Sequence, residues 1–248
     1  MMQPATAQEV TFPAPAEFPC DHLRGYLAAP AGSEPRPGVV LVPDVRGLYD
    51  HFRDVARRLA AEGFVTLAVD LYSREDAPEL GDLDAVMRWM GSLPDRRILG
   101  DLGAAARWLG DHPRVAGRQV GITGFCMGGQ YALMAACSDD RLGACVSWYG
   151  LLRYARKSAA RPADPLDMAP QLGCATLALF GADDSLIPPA DVQALREALT
   201  AAGKQFEIEV YEGAGHAFFN DARPEMYRAD AAAAAWPRAV EFLRRHLA

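Results

Sequence analysis

Paired cysteines are missing from this sequence. It holds five, Cys20, Cys126, Cys137, Cys145 and Cys174, an odd number without a CxxC spacing. That excludes a disulfide framework and offers no thiolate cluster for zinc. Long apolar runs are missing too. None approaches the roughly 18 residues that a membrane-spanning helix needs. The opening MMQPATAQEVTFPAP has neither the basic region nor the apolar core of a secretory leader. Positive charge is in deficit, with 25 Lys and Arg against 32 Asp and Glu, a net charge of -7. Such a chain is ill suited to nucleic acid or to an anionic membrane. The expectation is a protein of a reducing cytoplasm, with no nucleic-acid or membrane partner, no metal ion and no cofactor. Monomer and small homo-oligomer stay equally open.

Hydrophobic residues, by contrast, make up 50% of the 248 residues. That suffices for one large α/β domain over residues 1–248. Residues 10–12 and 22–27 read as a short antiparallel pair. Residues 38–42, Gly-Val-Val-Leu-Val, form a continuous apolar run, as expected of a strand buried on both faces. Phe52, Val55, Ala56, Leu59 and Ala60 mark one face of a helix over 52–61, which Gly63 ends. Strands follow at 64–69, 120–123, 144–148, 175–180 and 206–211. Helices are expected at 82–90, 97–109, up to 136, 189–201 and 226–247. The alanine run at 231–235 needs no explanation beyond helix propensity. Strands alternating with helices imply right-handed crossovers and a mainly parallel sheet with helices on both faces. Sites in such sheets sit at the carboxyl ends of the strands.

At one of those ends stands Gly124-Phe125-Cys126-Met127-Gly128-Gly129. A strand, a G-x-nucleophile-x-G turn and a helix make the nucleophile elbow of α/β-hydrolases. Glycines flank the nucleophile because the turn leaves no room for side chains. Cys126 falls at a helix N-terminus, where free amides and the helix dipole favour thiolate, and the Met127 amide points toward a developing oxyanion. A buried cysteine in a glycine turn, or a phosphate cradle, would read similarly. The cradle lacks the lysine of a P-loop and the spacing of a dinucleotide fingerprint. An elbow hydrolase needs an acid and then a histidine, in that chain order. Asp183 and Asp184 follow the strand ending at Phe180, and His216 follows the strand ending at Tyr211. His22, His51, His112 and His246 lie in the N-terminal pair, at helix ends or in a polar loop, and read as surface histidines.

These motifs resemble the dienelactone hydrolase family, the carboxymethylenebutenolidases, from about Gly25 to Leu247. The resemblance rests on GFCMGG, on Asp70-Leu71-Tyr72-Ser73-Arg74, on Asp184-Ser185-Leu186-Ile187-Pro188 and on Gly215-His216-Ala217-Phe218. It implies an α/β-hydrolase fold and a triad of Cys126, His216 and Asp184, the acid standing four residues before Pro188. It also implies an oxyanion hole from the amides of Val45 and Met127. Arg74 matches an arginine that holds the substrate carboxylate, and Tyr149 a pocket tyrosine. Two positions depart from the family pattern. A glutamate that gates the resting thiol is replaced by Asp44, and a second carboxylate-binding arginine is replaced by Asn220. Arg46 and Arg223 lie near in sequence but not at the motif positions. The implied substrate is a small ester or lactone, with a carboxylate on it. Alternatives are a carboxylesterase or thioesterase of different acyl preference, or a non-enzymatic thiol sensor.

Overall fold

The computed structural model describes residues 5–75, 82–115 and 119–247. Residues 1–4 of the opening stretch lie outside that range. In chain order the elements are β1 (Ala5–Phe12), β2 (Leu23–Pro30), β3 (Gly38–Val42), α1 (Asp50–Ala61), β4 (Val65–Val69), α2 (Leu83–Ser92) and α3 (Asp95–Gly110). There follow β5 (Val120–Phe125), α4 (Met127–Ala136), β6 (Leu142–Trp148), α5 (Pro165–Met168), β7 (Ala175–Gly181), α6 (Pro189–Ala201), β8 (Phe206–Tyr211) and α7 (Ala229–Leu247).

The strands form one sheet in the order β1-β2-β4-β3-β5-β6-β7-β8. β1 and β2 are antiparallel, β2 runs antiparallel to β4, and all later pairs are parallel. The fold is that of the α/β-hydrolases. The N-terminal pair is longer than its sequence suggests. β1 begins at Ala5, in register with Pro30. Its residues are mostly exposed, so the strand rests on ladder hydrogen bonds rather than on a buried apolar face. The last helix also starts later than expected, at Ala229. The amides of Met226 and Arg228 bond instead to the carbonyls of Arg223 and Phe218, which folds 223–228 into turns over the site.

The central strands are buried on both faces, and Val39 to Val42 are 0% exposed. Space for the helices comes from small residues. Gly121 backs onto Leu243 and Leu247 of α7, and Gly38 onto Leu109 of α3, so these helices cover opposite faces. α4 is buried along its whole length, hence its sequence, MGGQYALMAA, lacks a polar face. Aromatic rings gather below the carboxyl ends of β5 and β6. Phe125 stacks on Trp148 at 5.2 Å and on Phe219 at 5.6 Å, and Trp148 meets Phe219 at 4.6 Å. Such pairs contribute about 0.5–1.5 kcal/mol each beyond their buried area. Each ring precedes a residue of interest, Cys126, Tyr149 or Asn220, so packing below fixes the loops above.

Candidate active site

The turn after β5 is tight enough to exclude side chains. A Cβ on Gly124 would stand 2.1 Å from the Gly128 carbonyl oxygen, and one on Gly128 2.2 Å from that of Val42. Cys126 carries the strain between them, at φ 55° and ψ -117°. Tyr149 (φ 39°) and Ala217 (φ 59°) also hold positive φ. These conformations cost L-residues roughly 1–3 kcal/mol each and persist only where their surroundings impose them. All three follow carboxyl ends of the sheet. The Cys126 amide donates to the Trp148 carbonyl at 3.0 Å and the Tyr149 amide to that of Leu179 at 2.7 Å, so neighbouring loops brace one another.

His216 is the partner of this turn. Its Nδ1 lies 2.8 Å from Asp184 Oδ2. The Asp184 side chain is fully buried, and its other oxygen accepts the Leu186 amide at 2.9 Å. Asp183 is exposed, although its amide donates to the Ala214 carbonyl at 2.9 Å and ties the acid loop to the histidine loop. The Tyr149 ring meets the imidazole edge-on at 5.3 Å. His216 Nε2 is buried and lacks a partner of full hydrogen-bond geometry, while Cys126 stands near enough to act on it. Burial alone would push the imidazole down. The charge of Cys126 and the hydrogen bond to Asp184 outweigh that and raise it to about 10. The protonated form of His216 is therefore favoured.

Asp44 is buried beside this pair. Burial pushes its carboxyl up, against the Arg46 amide bond and the charges of Arg46, Arg223 and His216. Its Oδ1 accepts the Arg46 amide at 2.8 Å. Asn220 Nδ2 lies 3.5 Å from Asp44 Oδ2 and donates to Tyr49 Oη at 2.7 Å. The Val45 carbonyl accepts from Tyr72 Oη at 2.5 Å. The Tyr72 ring lies so close to Gly47 (φ 78°) that a Cβ there would meet it at 2.6 Å. The loop carrying Val45 is thus pinned on both sides. Met127 opens α4, where the first amides of a helix have no intrahelical acceptor.

These groups meet at a cavity of about 250 Å³. Asp44, Val45, Arg46, Cys126, His216 and Arg223 line it, and its apolar wall comes from Val86, Met87, Met90, Leu151, Leu186 and Met226. Among the described residues no cluster of three or more histidine, cysteine or acidic side chains could hold a metal ion. No helix there is long and apolar enough to cross a membrane.

Comparison with known proteins accords with this geometry. The family model described as the dienelactone hydrolase family matches residues 23–247. The chain belongs to the dienelactone hydrolase family. It is a hydrolase of that kind. It is 38% identical, over 91% of its length and 83% of the relative's, to an Escherichia coli (strain K12) protein named carboxymethylenebutenolidase. It is 36% identical, over 90% and 89% of the two chains, to a Bradyrhizobium sp. protein named as a 2-oxo-3-(5-oxofuran-2-ylidene)propanoate lactonase. The crystal structure of a dienelactone hydrolase from Klebsiella pneumoniae subsp. pneumoniae MGH 78578 superposes with a TM-score of 0.90 at 34% identity, over 98% of this chain and 99% of that one.

Of the positions that the family pattern assigns to substrate contact, Arg74, Tyr149 and Asn220 are not among the residues lining the cavity. Arg74 forms a two-pronged ion pair with Asp101, at 2.9 and 2.7 Å, and donates to the Phe18 and Pro19 carbonyls. Its charge is spent on anchoring the segment before β2. Asn220 is buried and faces Asp44 and Tyr49. Tyr149 is 1% exposed and packs behind His216. Among the described residues, the cations that line the cavity are Arg46 and Arg223, which the motif positions miss. The only signal for Arg46 in the sequence is its place directly after Val45. Nor is His51 a surface residue. It is buried under the site, with Nδ1 at 2.9 Å from Asp221 Oδ1, in the turn that follows Asn220.

Proposed function

We propose that this protein hydrolyses lactones or activated esters that carry a carboxylate, through a thioester on Cys126. The observation that carries the reading is the His216–Asp184 contact of 2.8 Å, with the unpaired Nε2 beside a strained cysteine at a cavity wall. Asp184 holds the proton on Nδ1, which leaves Nε2 to exchange protons with sulfur and substrate. The Cys126 thiolate attacks the carbonyl carbon. The oxygen becomes an oxyanion facing the amides of Val45 and Met127. Collapse breaks the ring C–O bond, and the enolate leaves with a proton from His216. His216 then takes a proton from water, which cleaves the thioester and returns the thiolate.

A sulfur nucleophile suits this substrate class. Thiolate leaves more readily than alkoxide, so an intermediate on sulfur falls backward unless the other leaving group is good. An enol is a good one, an amide nitrogen is not, and peptide hydrolysis is not expected. The name of the Bradyrhizobium relative specifies such a lactone with a carboxylate arm, and Arg46 and Arg223 are placed to meet a carboxylate in the cavity. Asp44 acts on the resting thiol, because a second buried negative charge opposes thiolate until substrate arrives. Acid-quenched mass spectrometry during turnover of p-nitrophenyl acetate tests the mechanism. An acetyl group on Cys126, absent from Cys126→Ala along with activity, is the expected result. Turnover by Cys126→Ala at a near-normal rate would eliminate covalent catalysis at this residue.

A further inference from the structure

Next to the Cys126 cavity lies a second one of about 280 Å³. Met87, Met90 and Leu151 belong to the walls of both, so the two cavities adjoin along these three side chains. Among the described residues, every formally charged one in the lining of the second is an arginine: Arg88, Arg153, Arg156 and Arg161. Such a lining contrasts with the net charge of -7 of the whole chain. Concave walls bearing one sign of charge focus the potential inside them.

The arginines are not equivalent. Arg161 is buried and committed, with its guanidinium 3.5 Å from the Tyr154 ring centroid and a bond of 3.0 Å to the Met90 carbonyl. Arg153 pairs with Asp191 at 2.8 Å. Arg88 and Arg156 are exposed at the rim and have no carboxylate partner among the described residues. Gln130 supplies an independent pointer. It is 0% exposed, it donates to Tyr154 Oη at 3.3 Å, and its Oε1 is buried without a partner in the cavity lining. The Tyr154 hydroxyl donates onward to Asp95 at 2.9 Å, which keeps the Gln130 amide group turned toward it and leaves Oε1 as an acceptor for a hydrogen-bond donor along a ligand's arm, such as a hydroxyl or N–H, rather than for an anionic oxygen. Gln130 is also one helical turn beyond the elbow, its amide bonded to the Cys126 carbonyl at 3.0 Å.

We propose that this second cavity receives an oxyanion, carboxylate or phosphate, borne on an arm of the substrate that extends from the carbonyl at Cys126. The inference rests on the reading of Cys126 given above, and it names a larger, more acidic substrate than a small lactone with one carboxylate. Arg88 and Arg156 present the planar forks that match such groups, while Arg153 and Arg161 are held by Asp191 and Asp95 and serve as wall. The arm passes between Met87 and Met90, whose flexible side chains adapt to its shape.

The test compares kcat/KM for free acids with that for their methyl-capped counterparts. One series is the mono-p-nitrophenyl esters of succinate, adipate and suberate. The other is the acetate esters of ω-hydroxy acids, followed by proton release, so that the arm is offered on the acyl side and on the alcohol side. In at least one series the acid should exceed its cap by about tenfold at some arm length, the scale of one charge-assisted hydrogen bond. The advantage should fade with salt, and the Arg88→Gln/Arg156→Gln double variant should lower the ratio about tenfold. Exchanging the terminal carboxylate for phosphate at the best length shows which oxyanion fits. A ratio near one throughout, or a ratio that the double variant leaves unmoved, overturns the proposal. If the wild-type protein cleaves no ester, the reading of Cys126 has failed instead. Calorimetric titration with adipate and inorganic phosphate then decides the cavity alone. Binding about tenfold weaker in the double variant upholds it, and equal or absent binding in both proteins refutes it.

Discussion

Replacing Asp184 by Asn changes one atom and reverses the role of His216. The carboxylate accepts a hydrogen bond from Nδ1–H at 2.8 Å. An amide turned to keep the Leu186 bond on its oxygen, now at 2.9 Å, presents an NH2 group to Nδ1. The imidazole then accepts at Nδ1 and carries its proton on Nε2, the nitrogen that should receive one. Loss of a charge-assisted hydrogen bond alone amounts to about 1.5–3 kcal/mol, or ~10–150-fold in rate. The wrong tautomer adds to this, and the corresponding change in serine-protease triads costs about 10⁴-fold. We therefore expect Asp184→Asn to lower kcat/KM by about 10³–10⁴-fold on that basis for both p-nitrophenyl acetate and a dienelactone. Alkylation of Cys126 by iodoacetamide should slow as well, because the imidazolium that favours thiolate is weakened. The protein should stay folded, since shape and the Leu186 bond are kept. Asp183→Asn, at an exposed side chain, should change neither measurement. A loss of less than tenfold in Asp184→Asn, or a larger loss in Asp183→Asn, would refute the assignment.

Asp44→Asn should stabilise the protein at neutral pH while impairing it. A carboxyl raised by burial binds its proton more tightly in the folded chain, so stability falls as pH rises from the usual carboxylate value through the raised one. The cost is larger at pH 7 than at pH 4, so the gain in Tm should be a few degrees at pH 7, at about 2–4 °C per kcal/mol, and smaller at pH 4. An equal Tm at both pH values would contradict this. Arg74→Gln should act on stability, by roughly 3 kcal/mol, because it leaves Asp101 unpaired in a largely buried site. Arg223→Gln should instead lower kcat/KM for a carboxylate-bearing lactone about tenfold relative to a neutral ester. Urea melts and paired kinetics separate the two, and the opposite pattern would restore Arg74 as the carboxylate contact. Gly128→Ala should abolish activity, since its Cβ would fall 2.2 and 2.3 Å from two backbone oxygens. Near-normal melting and turnover together would show that the elbow can yield.

Much of this protein is legible along the chain because local rules govern those parts. The apolar runs at 38–42 and 175–180 had to be buried strands, and GFCMGG had to be a sharp turn, since the glycines leave no side chain to clash. The order nucleophile, acid, histidine follows from strand order in this sheet. The choice between Asp183 and Asp184 needed more than spacing, and burial separates them: one is exposed, the other fully enclosed against His216. Which charges line the cavity was decided by tertiary structure alone. Arg74 sits at a motif position, yet Asp101, 27 residues away in the chain, takes its guanidinium. Arg46 and Arg223 come from loops far apart in the chain that meet only in the assembled fold. Asn220 and His51 read as a pocket residue and a surface residue, but both are buried, because β8 returns beside β7 and lays its following loop over α1. A side chain's type and spacing determine what it can do. Which other side chain it meets depends on contacts across the whole sheet, and no local pattern encodes those.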